Sequence, residues 1–87
     1  MIKAKKKGKN ELVIYIGGME YLKFRLADKN VIVTKSCPRE IEIRCPNIIA
    51  VLILDIIKEL CGEIPETDQR EIDEFGTQIV RKTLFKE

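Results

Sequence analysis

Between Pro46 and Cys61 the chain reads Pro-Asn-Ile-Ile-Ala-Val-Leu-Ile-Leu-Asp-Ile-Ile-Lys-Glu-Leu-Cys, and no other stretch constrains the fold as tightly. Seven apolar residues run unbroken from Ile48 to Leu54, and only Asp55, Lys58 and Glu59 carry charge. On a helix at ~100° per residue those three charges share an arc of roughly 100°. Leu52, Ile56, Ile49, Leu60, Ile53, Ile57, Ala50, Cys61 and Leu54 spread over about 200° on the other side. Half that width covers one neighbour, so this helix requires two. One is a sheet, and the other is a C-terminal helix or a second copy of the chain.

The sheet is written into residues 11 to 45. Glu11 to Ile16 is rich in β-branched and aromatic residues, and Gly17-Gly18 then supplies two positions free to take positive φ, a hairpin signal. Met19 to Leu26 alternates, with Leu22, Phe24 and Leu26 against Tyr21, Lys23 and Arg25. Asp28-Lys29-Asn30 turns the chain into a short strand from Val31 to Lys35. Pro38 breaks the ladder before Glu40 to Cys45 alternates again, with Ile41, Ile43 and Cys45 inward. Pro46 opens the apolar helix and Gly62 closes it. A second helix is expected to begin near Asp68, with Asp68 and Glu71 as a capping box. Ile72, Phe75, Ile79, Val80 and Thr83 form its apolar stripe, Gly76 permits close helix packing, and Arg81, Lys82 and Lys86 suit its negative end.

The expected fold is therefore α+β: a four-stranded antiparallel meander followed by two α-helices packed on one face. Residues 11–87 form a single domain, and residues 1–10, ending Lys-Lys-Lys-Gly-Lys-Asn, form a flexible basic arm. The expected core comprises Leu22, Phe24, Leu26, Ile41, Ile43, Ile49, Leu52, Ile53, Ile56, Leu60, Ile72, Phe75 and Ile79.

Charge and chemistry narrow the function. Residues 1 to 45 hold 11 Lys and Arg against 5 Asp and Glu, while residues 46 to 87 hold 5 against 9. There is no histidine, so the usual neutral-pH base is missing. Cys37, Cys45 and Cys61 lie eight and sixteen positions apart without a CxxC pair, which does not fit a zinc site. Cys37 lies between Lys35 and Arg39, which favour a thiolate, but no base accompanies it. The acids Glu66, Asp68, Glu71, Asp73 and Glu74 lack the alternating ligands and central glycine of a calcium loop. No cofactor and no metal are expected, and the chain does not read as an enzyme. The start lacks an apolar signal region and the apolar helix is too short to span a bilayer, so the expectation is a soluble, cytoplasmic protein.

Two functions remain. The first is a small protein-interaction module, a regulator, adaptor or inhibitor that presents a surface, as a homodimer. A two-residue turn at Gly17-Gly18 would put Ile16 opposite Met19, Ile14 opposite Tyr21 and Leu12 opposite Lys23. The outward face would then carry Leu12, Ile14, Ile16, Met19 and Tyr21, rimmed by Lys23 and Arg25, as the partner-binding patch. The alternative is a nucleic-acid-associated protein using Lys3, Lys5, Lys6, Lys7 and Lys9 with the cations of the sheet.

Overall fold

A computed structural model describes residues 1–36, 38–60 and 64–84 of the chain. Expectations placed on Cys37, Cys61, Gly62 and Lys86, and on the side chains of Leu60 and Thr83, lie outside what it describes. Five strands come first: β1 (Ile2–Lys7), β2 (Glu11–Ile16), β3 (Met19–Leu26), β4 (Asn30–Lys35) and β5 (Ile41–Pro46). Two helices follow, α1 (Asn47–Leu60) and α2 (Glu66–Leu84). The strands form one antiparallel sheet in the order β1-β2-β3-β4-β5. Both helices contribute to the cluster that packs on one face of that sheet.

The α+β class stands, and the strand count is corrected from four to five. The extra strand is the expected arm. Ile2 and Ala4 alternate with Lys3, Lys5 and Lys7, a period-2 pattern hidden by the weak strand preference of lysine. Ala4 is wholly buried in the core cluster, so β1 is anchored rather than trailing.

The first hairpin turns through Gly17 and Gly18, with φ of 60° and 83°, and Ile16 pairs with Met19 as expected. The register then departs from the expectation. Tyr15 pairs with Glu20 but Ile14 pairs with Leu22, so Tyr21 is the extra residue of a bulge in β3. Without it, Leu12 and Ile14 would face away from Leu22 and Phe24. The bulge places both sets on the helix side, where Leu12 and Ile14 are fully buried beside Phe24.

α2 carries Ile72, Phe75 and Ile79 into the core over β1 and β2, and Phe75 meets Phe24 edge-on at 6.5 Å between centroids. It begins two residues before Asp68, with the Gln69 N–H donating to the Pro65 carbonyl at 2.9 Å. Asp68 and Glu71 are therefore not its capping box. α1 lies over β4 and β5 beside α2 and buries Ala50 and Leu54. Gly76 does not mark close helix packing, since a Cβ built there would meet nothing within 4 Å.

Candidate interaction surface

The two edges of the sheet are finished differently. The Leu26 N–H donates to the Asn10 carbonyl and the Gly17 N–H to the Met1 carbonyl, which fixes the alternation of the first three strands. Lys3, Lys5 and Lys7 bond back to β2, leaving the N–H groups of Ala4 and Lys6 pointing out of the sheet. α2 meets both of them. The Asp68 carboxylate accepts from the Ala4 N–H at 2.8 Å, and the Glu71 carboxylate accepts from the Lys6 N–H. Asp68 is the one charged side chain buried among the described residues, and this bond accounts for its burial. The Lys6 ammonium, on the helix side, lies 3.6 Å from Glu74.

At the other edge, the Ala27 N–H donates to the Asn30 carbonyl and the Ser36 N–H to the Tyr21 carbonyl. Those bonds turn the backbone of Asn30, Ile32 and Thr34 toward β3, and that of Val31, Val33 and Lys35 toward β5. Ile41, Ile43 and Cys45 bond back to β4, while Glu42 and Arg44 direct their N–H and C=O groups away from the sheet. Among the described residues no element covers that edge, and neither Glu42 nor Arg44 forms an ion pair. Among the described residues Arg44 reaches the Asn30 side-chain carbonyl, at 3.4 Å.

Beside this edge the apolar surplus of α1 is uncovered. Ala50 and Leu54 turn to the sheet and α2, whereas Ile49, Leu52 and Ile56 lie on the opposite side of the helix. Leu52 is 51% and Ile56 54% exposed. Ile41 and Ile43, on the helix side of β5, are exposed too, Ile43 to 56%. Ile41, Ile43, Ile49, Leu52 and Ile56 are thereby corrected from core to surface, because both helix neighbours sit on one half of α1. A shallow apolar groove runs along it between Leu52 and Ile56, edged by Asp55 and Glu59. On the far side of α1, Lys58 bonds Asp73 of α2, and that hydrogen bond raises the Lys58 pKa above its ordinary value.

The expected hairpin patch does not exist as an outward surface. Leu12 and Ile14 are core, Tyr21 is half-buried at the bulge, and Ile16 and Met19 are exposed only at the hairpin tip. Lys23 and Arg25 do face outward, and the face they occupy is polar. Lys3, Lys5 and Lys7 line its first strand, with Glu11, Val13 and Tyr15 on the second. Lys5 and Lys23 flank Val13 across the strands, and Arg25 and Arg44 flank Ile32. Both apolar residues are buried on this helix-free face, between side chains whose aliphatic stems can lie over them. The Lys7 ammonium sits 5.9 Å from the centre of the Tyr15 ring and 3.8 Å from Glu20, and a hydrogen bond to Tyr15 raises its pKa. Lys6 and Lys9 do not join this row: Lys6 faces the helices, and Lys9 lies in the β1–β2 turn, where Gln78 donates to its carbonyl.

Comparison with known protein families, curated proteins and solved structures finds no match to this chain. Among the described residues no group of three or more acids, cysteines or histidines is placed to hold a metal ion, and no helix is long and apolar enough to cross a membrane. The α1–β5 surface could be half-read from the sequence. The 200° apolar arc announced an uncovered side, but no sequence signal said which side α2 would take.

Proposed function

We propose that the chain is a non-enzymatic interaction module of the cytoplasm that acts as a homodimer through α1 and β5. The observation that carries this reading is the exposure of Ile41, Ile43, Ile49, Leu52 and Ile56 on two adjoining elements. Large apolar side chains gathered on one side of a small domain and rimmed by charge are the common form of an association surface. A chain of 87 residues buries a modest share of its surface, so association also supplements its stability. Light scattering tests it: the expected mass is twice the 10.1 kDa of the chain. Leu52→Glu is expected to return the monomer with an unchanged circular dichroism spectrum. A wild-type monomer at high micromolar concentration would remove the proposal.

A second reading is favoured by the alignment of Lys3, Lys5 and Lys7 with Lys23, Arg25 and Tyr15 on the helix-free face. Cations in rows with an aromatic ring among them suit a single-stranded nucleic acid, its phosphates on the lysines and a base on Tyr15. Binding of this kind weakens steeply between ~50 and ~200 mM salt. A flat salt response, or no loss in a Lys3→Glu/Lys5→Glu variant, would discard it.

A further inference from the structure

We infer that two copies join edge to edge through β5, in antiparallel register with Glu42 opposite Arg44 of the second copy, making one continuous sheet from the two five-stranded ones. This rests on the homodimer proposed above and specifies how it is built. The open edge offers the N–H and C=O groups of Glu42 and Arg44, and a second strand bonds to them only if its own free residues lie opposite. Two-fold symmetry leaves few registers. Centring the axis on Ile43 sets Glu42 against Arg44 twice and Ile43 against its own copy. Sliding by one hydrogen-bonded step either way sets Glu42 against Glu42 or Arg44 against Arg44. Like charges directly opposite are destabilising and unlike charges favourable, so the pattern Glu-Ile-Arg selects one register of the three.

The same axis accounts for the apolar surface. Glu42 and Arg44 lie on the helix-free face, where neither has an ion-pair partner among the described residues of its own chain. Ile41 and Ile43 lie on the helix side and would meet the second copy's strand there, Ile43 in the closer, non-hydrogen-bonded type of pair. The two α1 helices would come to the same side of the joined sheet, with Ile49, Leu52 and Ile56 available to cover the seam. An isologous contact uses one patch twice, and here edge, charge pair and apolar stripe are all self-complementary.

The test uses the full chain. Ile43→Cys is expected to cross-link to itself on mild oxidation, with peptide mapping locating the bond between the two introduced cysteines. Glu42→Arg alone and Arg44→Glu alone each replace two unlike pairs by like ones and should raise the dimer dissociation constant about ten- to a hundredfold. The combined Glu42→Arg/Arg44→Glu variant restores unlike pairs and should recover the wild-type constant. If the wild type is dimeric but the introduced thiols do not join, or the exchange fails to rescue, this register is overturned while the homodimer stands. A monomeric wild type overturns both.

Discussion

Asp68 and Gly76 lie eight positions apart on α2 and answer opposite needs. Asp68 is a buried carboxylate whose place is explained by the Ala4 N–H. Asp68→Ala would leave that donor without a partner, at a cost of about 1–3 kcal/mol read from the denaturant midpoint. Asp68→Asn keeps an acceptor and should lose less. Gly76 has open space where a Cβ would stand, in the shallow hollow between α1 and α2. Gly76→Ala should therefore stabilise by roughly 0.5–1 kcal/mol through the entropy of the unfolded chain. A loss of stability in that variant would show that the helices close over the position.

At the scale of elements, α1 has a buried side and an exposed apolar side. Leu54 is buried against the sheet and α2, so Leu54→Ala should cost ~2–5 kcal/mol. Leu52→Ala, two residues away, should leave the fold of the single chain nearly unchanged and act on association instead. Thermal melts at low and high protein concentration separate the two effects. The Lys58–Asp73 bond ties α1 to α2 at a partly exposed position, so Lys58→Met should cost no more than ~1 kcal/mol. The pKa of Lys58 is raised, so its contribution is fully present below the ordinary value of 10.5 and is lost as pH climbs past the raised one. The stability difference between Lys58→Met and wild type should therefore be constant near neutral pH and vanish in strong alkali.

These elements also show how far the sequence could be read. The alternation in β3 and β5, the short strand β4, the two-glycine turn and the approximate place of both helices were legible because each rests on local pattern or turn chemistry. β1 was hidden because four of its six residues are lysine. The face of β2 was misjudged because a turn of the expected kind is followed by a bulge at Tyr21, and only the need to bury Leu12 and Ile14 together with Leu22 and Phe24 requires it. The capping-box spacing of Asp68 and Glu71 was real, but a strand edge far away in sequence claims both carboxylates. The claim on those two carboxylates joins segments distant in the chain, which no local pattern could carry.

For the whole molecule, the proposed association through α1 and β5 would make stability a function of concentration. The melting temperature should rise with protein concentration in the wild type and stay level in Leu52→Glu, as read by circular dichroism over a dilution series. Glu71 and Asp68 set a further limit on what such an assembly can become. A sheet with two bare margins is a monomer unit for a polymer, whereas here, among the described residues, only the β5 margin is open and the outward N–H groups of β1 are capped. Growth through β5, as proposed, would end after a single addition, because each newcomer would present only its blocked margin to the solution. On that proposal two carboxylates on a helix would act as a chain terminator, and the Asp68→Ala/Glu71→Ala variant, at concentrations where the wild type stays a discrete particle, should lengthen into fibres visible by electron microscopy.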